Sequence, residues 1–295
     1  MAHQNATKRN LQLLACTAPA LLVFITMKII PAVMGFWYSL TSWNGINPKK
    51  PFIGLENFRE IFTTDPYFWD SLLFTFRYTI WIVVAMNILA LLLALGIESQ
   101  RRGKGVFRTL FYLPNMISLV IGSFMWNFIF TKVLYYMADT WGWSFLDHSW
   151  IGDPTFSFYA ILTVALWGGT GYIMIIYIAA IQGVPEVLHE AAIVDGATPF
   201  QRLRSITLPM IAHSFTICLF ITLNNAFQVF DVVYTLTGGG PGRATQVVAI
   251  NIYEEAFNNS NRFGYATAKS LIVFAIVLVI TSIQLTVMKR REQEL

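Results

Sequence analysis

Six long apolar runs, at roughly 11–40, 72–97, 106–131, 156–182, 210–233 and 266–288, constrain this chain more than any other feature of its sequence. Each is long enough to cross a bilayer, which takes about twenty mostly apolar residues. Inside lipid an isolated segment can satisfy its own backbone N–H and C=O groups only as an α-helix. The expected fold is therefore an all-α integral membrane protein with six transmembrane helices. Composition agrees, because 56% hydrophobic residues against 12% charged ones leave too little polar surface for a water-soluble domain. One membrane domain over 11–290 is expected, with tails at 1–10 and 291–295 and no internal repeat or flexible linker.

The net charge of +4 raises the question of nucleic acid, and the placement of the charges answers against it. Cations cluster at the ends of apolar runs rather than on an aromatic-interleaved patch. One side collects Lys8, Arg9, Arg101, Arg102, Lys104, Arg108, Arg202, Arg204, Lys289, Arg290 and Arg291, and the other Lys49, Lys50, Arg59, Lys132, Arg243 and Arg262. The denser set marks the cytoplasmic side, so both termini are expected there. Trp37, Trp43, Trp141, Trp143 and Trp150 fall in the outer connections, where indoles suit the membrane interface. The outer loop 41–71 is expected to hold a short helix around "GLENFREIF". Lys8-Arg9 followed by "LQLLACTAPALLVF" has the outline of a signal peptide, but only Leu11 to Ala15 precede Cys16, too few for a cleaved apolar core. An uncleaved first span is expected, with Lys28 near its far end and free to snorkel. Cys16 and Cys218 stand alone in apolar stretches, and His3, His148, His189 and His213 share no metal-ligand spacing.

Between the fourth and fifth runs the sequence turns abruptly polar: "HEAAIVDGATPFQRLRSITLPMI", residues 189–211. Pro185 suits a first helical position and Gly196 a left-handed helix end, which predicts a helix over 185–195, too short to span. Thr198, Pro199 and Gln201 then form a capping-box pattern for a second helix, limited by Pro209. Val187, Leu188, Ala191 and Val194 share one face of the first helix, and Ala191-Ala192 permit close backbone approach. Glu186 and Glu190 repel each other, and Asp195 opposes the helix dipole. Local penalties of this kind suit either a docking surface or a solvated acidic connector.

Candidate chemistry is sparse. "GGGPGRAT" at 238–245 lacks the Gly-Lys-Ser/Thr ending of a phosphate-binding loop, so it is read as a binding surface or a plain turn, not a nucleotide site. In "LNNAFQVFDVVY", Asn224, Phe227, Gln228 and Asp231 recur at i, i+3, i+4 and i+7, one helical face, with Asn225 pointing elsewhere. An intramembrane polar stripe is costly against lipid, so it lines a solute path or glues helices together. In "WGGTGYIMIIY", Trp167 and Tyr172 could stack on a solute ring, and Gly168, Gly169 and Gly171 allow close packing or a local break. Asn87, Asn115 and Asn127 are read as packing contacts. No Gly-x-Ser-x-Gly, His-Glu-x-x-His or pair of intramembrane aspartates is present, which argues against an intramembrane enzyme.

"EAAIVDGATPFQRLRSITLP", through Glu190, Ala191, Ala192, Asp195, Gly196, Ala197, Ile206, Leu208 and Pro209, resembles the EAA loop of permease subunits of binding-protein-dependent ABC importers. "GLENF" (54–58), "FRTLFYLPNMIS" (107–118), "AAIQGVPEVLHEAA" (179–192) and "TGGGPGRATQ" (237–246) are similar to the maltose and glycerol-3-phosphate branch of that family. The resemblance implies a type I ABC importer permease fold in a bacterial cytoplasmic membrane. It implies that 185–209 is a coupling loop seated on a separate ATPase, with Glu190, Ala191, Ala192, Asp195, Gly196 and Ala197 at the contact. It further implies a second permease, most simply as a heterodimer, two ATPase subunits carrying ATP and Mg, and an extracellular solute-binding protein delivering an oligosaccharide or polyol. No cofactor is expected on this chain. His213 stands where many family members have a second proline, which bears on the entry into the fifth span. A glycerol-3-phosphate-type solute and an ATPase-independent channel or scaffold are the alternatives, although the lone Asp231 and scarce intramembrane cations lean against an anion.

Overall fold

A computed structural model describes the backbone of residues 2–100, 102–258 and 261–293, and the side chains of 12–100, 102–258 and 261–288. His3, Lys8, Arg9, Arg101, Lys289, Arg290, Arg291 and the ends of both tails lie outside the described side chains. Among the described residues every extended element is helical, and β structure is limited to one antiparallel bridge, Thr41 with Phe52. In chain order the helices are α1 (Gln12–Ser39), α2 (Glu56–Thr63), α3 (Pro66–Ser99), α4 (Lys104–Tyr112), α5 (Leu119–Trp141), α6 (Pro154–Gln182), α7 (Glu186–Val194), α8 (Pro199–Met210), α9 (Ala212–Phe227), α10 (Asp231–Leu236), α11 (Val248–Tyr253) and α12 (Phe263–Gln293). Five of them, α1, α3, α5, α6 and α12, are long and apolar enough to span, and α8 with α9, bent by 67°, gives a sixth where the bent pair is counted as one span.

Three boundaries differ from the sequence reading. The run at 106–131 is not one helix: α4 ends in a 3-10 turn at Leu113–Met116, and the span moves to α5. Pro114 lacks the N–H that would continue the helix, and Ile117 and Ser118 are extended, with ψ of 132° at both. Lys132, assigned from the sequence to an outer loop, therefore lies within α5, exposed in a π turn at Ile129–Val133. The run at 210–233 also breaks, since α9 stops at Phe227, the chain leaves helical geometry over 228–230, and α10 begins at Asp231. Pro209 does not end its helix, because a π turn at Leu203–Thr207 widens the preceding backbone and the bend falls at Ile211. Lys28 sits in a similar π turn, Ile25–Ile29, and is exposed.

The fold divides into two compact units. The first joins residues 1–65 to 252–274. Here the Asn57 amide, buried, donates to the carbonyls of Ser39 (2.7 Å) and Thr41 (3.0 Å), tying α2 to the end of α1. The Gly264 N–H donates to Trp43 O at 2.8 Å, and a Cβ at Gly264 would collide with the Thr41 carbonyl. Lys269, only 1% exposed, pairs with Asp65 at 2.7 Å and Glu255 at 3.5 Å, and Arg262 pairs with Glu60 at 2.8 Å. The Tyr265 hydroxyl donates to Asp65 at 2.9 Å, so the buried ammonium and its carboxylates are held from several sides. Removing one member of such a group strands the others. Lys269→Met is expected to destabilise the protein by about 3 kcal/mol, measured as a lowered unfolding midpoint in detergent.

The second unit, 66–251 with 275–295, packs α3, α6 and α9 around a shared core that includes Ile82, Ala90, Ala94, Ile161, Val164, Met174 and Cys218. A polar bridge crosses that core: the Tyr177 hydroxyl donates to Asn87 Oδ1 at 2.8 Å, and Asn87 Nδ2 donates to Thr222 Oγ1 at 3.0 Å. With every member bonded, the bridge fixes the register of three helices instead of leaving buried polar groups unmet. Gly171 brings α6 against α4 so closely that a Cβ would strike the Phe111 carbonyl.

Candidate functional site: a polar cavity and an exposed helix pair

The break between α4 and α5 and the break between α9 and α10 meet around one cavity of about 500 Å³ within the second unit. One wall is the 3-10 turn with the extended residues after it, and it presents Asn115, Ile117 and Ser118. Asn115 Nδ2 donates to Gly168 O at 3.1 Å and holds this turn on α6, where Gly168 and Gly169 leave room for the side chains of Leu119 and Met86. The opposite wall is the break after α9: Asn225, Gln228, Val229, Phe230 and Asp231. Tyr78 from α3, Tyr172 from α6 and Thr222 from α9 complete the polar lining, with Ile82, Met86 and Ile173 as apolar surface. Among the described residues lining it are one carboxylate, Asp231, several neutral amides and hydroxyls, and no lysine, arginine or histidine. Amides and hydroxyls beside aromatic rings can exchange hydrogen bonds with a polyhydroxylated molecule and cover its apolar ring faces.

The stripe read from the sequence does not survive as one helical face. Gln228 and Asp231 line the cavity, as does Tyr172. Asn224 does not, and its amide donates to the Phe220 carbonyl at 3.0 Å along its own helix. Phe227 is buried at 3% exposure, edge-on to Phe76 with centroids 5.1 Å apart. Trp167 also lies outside the lining and packs edge-on against Trp126 at 5.9 Å, over the space that Gly122 leaves. The physical reason is the break at 228–230, which rotates the residues after it away from the helical continuation. Asn225, which helical spacing puts on another face, is exposed to the cavity, and Tyr78, Ser118 and Thr222 were not singled out. Neither proline nor glycine announces the break in "NNAFQVFDV"; only Pro114, beside Asn115, marks the other wall.

The polar interruption is a helix pair. Pro185 is the N-cap instead of the first helical residue, so α7 starts one position later than expected and runs from Glu186 to Val194. Gly196, with φ of +77°, closes α7: its N–H donates to Ile193 O at 3.0 Å and the Ala197 N–H to Ala192 O at 2.8 Å, both bonds of a Schellman end. The capping box at α8 is complete, with the Gln201 N–H on Thr198 Oγ1 at 3.3 Å and the Thr198 N–H on Gln201 Oε1 at 2.7 Å. The pair is locally self-sufficient. Its apolar residues are nevertheless uncovered, since Val187, Leu188, Val194 and Phe200 are all exposed and Val194 reaches 86%. Glu190 and Ala191 share this exposure, and Ala192, Asp195, Gly196 and Ala197 rim an open notch of about 360 Å³ with Gln201, Arg202, Ser205 and Ile206.

A multi-pass helical protein with a polar cavity among its helices and a bare helix pair between two spans is a transport permease in class. Residues 17–293 match the family described as binding-protein-dependent transport system inner membrane component, and the chain belongs to it. It is 40% identical, over 94% of both chains, to the probable starch degradation products transport system permease protein AmyD of Thermoanaerobacterium thermosulfurigenes. It shares its fold with a bacterial ABC transporter involved in the import of the acidic polysaccharide alginate, with a TM-score of 0.84 and 25% identity over 98% of this chain and 99% of that one. The same likeness extends to the bacterial alginate ABC transporter in complex with an alginate pentasaccharide-bound periplasmic protein, with a TM-score of 0.80 and 25% identity over 98% and 97%.

Proposed function

We propose that this permease carries an uncharged carbohydrate, an oligosaccharide or related polyol, across a bacterial cytoplasmic membrane in an ATP-driven importer. The observation that carries this reading is the lining of the cavity. Asn115, Ser118, Asn225 and Gln228 offer both donors and acceptors, Tyr78 and Tyr172 offer ring edges and faces, and among the described residues of the lining no cation stands ready for a phosphate or uronate. The relative named for starch degradation products supports a neutral sugar. The alginate importer supports the assembly more than the substrate, because an acidic polysaccharide needs positive charge that this lining lacks.

In this reading both termini and the α7–α8 pair face the cytoplasm, and the exposed apolar face of α7 seats in a groove of an ATPase subunit. Glu190, Ala191, Ala192, Asp195, Gly196 and Ala197 form the contact, and ATP and Mg are bound by two such ATPases rather than by this chain. A second permease, different in sequence, completes the path, and an extracellular solute-binding protein delivers the sugar. A ligand moves such a system only through its different affinity for the two states of the transporter, so hydrolysis and loaded binding protein must act together.

The test is co-purification on a tag carried by this chain, expressed with its partner permease, ATPase and binding protein, followed by ATPase assay with a panel of neutral and anionic sugars. Stimulation by a binding protein loaded with a neutral sugar is expected. Stimulation only by glycerol-3-phosphate or a uronate would overturn the substrate class, and absence of any ATPase in an intact complex would favour a channel or scaffold.

A further inference from the structure

We propose that Glu98 is a positioning residue that ties the root of the α7–α8 pair to the cavity wall, so that movement of the pair reaches the solute. The inference rests on the importer reading.

Glu98, one residue before the end of α3, is 12% exposed and accepts from three directions. Lys104 Nζ lies at 3.0 Å and Arg108 Nη2 at 2.5 Å, one turn apart on α4. Gln182 Nε2, from the last residue of α6, lies at 3.4 Å. Gln182 stands three residues before Pro185, the N-cap of α7, and the Val184 N–H donating to Ile181 O keeps the connection tight. One carboxylate thus joins the end of α3, the first turns of α4 and the point from which the exposed pair departs.

The other end of α4 is the cavity wall. The helix runs straight from its Glu98-bound cations into the 3-10 turn that carries Asn115, and Ile117 and Ser118 come next. Its cavity end cannot slide freely, since Gly171 of α6 allows Phe111 and Tyr112, the last two residues of α4, only backbone clearance. A short, stiff helix with one end charged to a fixed carboxylate and the other forming the cavity wall transmits displacement instead of absorbing it. Packed interfaces of this kind switch between discrete arrangements and do not deform continuously.

The experiment is a reconstituted complex containing the partner permease, ATPase and binding protein, in which solute imported per ATP hydrolysed is measured. Glu98→Gln keeps the shape and removes the charge. The expected result is an assembled complex that still hydrolyses ATP but imports about threefold to thirtyfold less solute per ATP. Restoration of the ratio by the reversed pair, Glu98→Arg with Arg108→Glu, would support the assignment. An unchanged ratio in Glu98→Gln would overturn it, and so would a parallel loss of import and hydrolysis, the signature of a merely structural role. Should Glu98→Gln fail to assemble, Gln182→Ala breaks only the link to the root of α7, and an unchanged ratio there overturns the proposal. A wild-type complex that imports without ATP removes the importer reading itself, a failure visible before any variant is compared.

Discussion

Replacing Gly196 by valine is expected to leave the protein in the membrane at normal levels while abolishing uptake and stripping the ATPase from the purified complex. Gly196 holds φ of +77°, a conformation that costs an ordinary L residue about 1–2 kcal/mol. Beyond its two chain neighbours, no atom lies within 4 Å of where a Cβ would be, so the backbone conformation and not crowding at Cβ sets the cost. The strain instead falls on the turn that sets the angle between α7 and α8, and a loss of about 1.4 kcal/mol is tenfold in affinity for whatever docks there. Extra volume on the rim of the notch adds to that loss. Gly196→Asn is the control, because asparagine tolerates the left-handed region, and it should retain far more ATPase than the valine variant. Co-purification, uptake and membrane level measured together decide the matter, and normal uptake by Gly196→Val would sink the coupling role of this loop.

The second large effect is expected at the cavity. Asn225→Ala combined with Gln228→Ala should raise the solute concentration needed for half-maximal transport by about tenfold or more. Each substitution removes one or two neutral hydrogen bonds of about 0.5–1.5 kcal/mol. Neither side chain is buried in the protein core, so the complex should assemble normally. Asn224→Ala is the sharp contrast. Its amide is occupied by the Phe220 carbonyl, and transport should hardly change. Transport kinetics in proteoliposomes for the three variants test the cavity directly. Equal loss from Asn224→Ala and from the double variant would mean that the region acts through packing alone.

The capped helix pair α7–α8 was legible in the sequence because its signals are local. Pro, Gly, Thr and Gln at fixed offsets specify caps, and caps are decided by the residues within one turn; hence Gly196, Thr198 and Gln201 stand within a residue of where the pattern puts them. The exposed Val187, Ala191 and Val194 of α7 were legible for the same reason, as a helical face is a matter of spacing. The apolar runs likewise announced the spans, since lipid accepts little else.

The cavity was only half legible. Gln228, Asp231 and Tyr172 were within reach as polar or aromatic residues in apolar runs, yet the helical arithmetic that grouped Gln228 and Asp231 with Asn224 and Phe227 assumed an unbroken helix. Trp167 was a reasonable ring for a sugar until the space beside Gly122 claimed it for packing. Asn115 was read as a packing amide. It is one, on Gly168, and it lines the cavity as well.

What the sequence by itself determined is therefore everything that one chain segment decides with its own residues and the bilayer: that the protein is helical, about where it crosses, and where a capped polar pair interrupts it. Only the tertiary structure decided where two of those runs break, which amide of the Asn224-Asn225 pair faces the cavity, and that Glu98 gathers Lys104, Arg108 and Gln182. The physical reason is that these are choices between nearly equal local conformations. A helix that could continue past Phe227 stops there in the context of α3, α5 and α6 packed around it, and no residue between Gln228 and Phe230 carries that information alone.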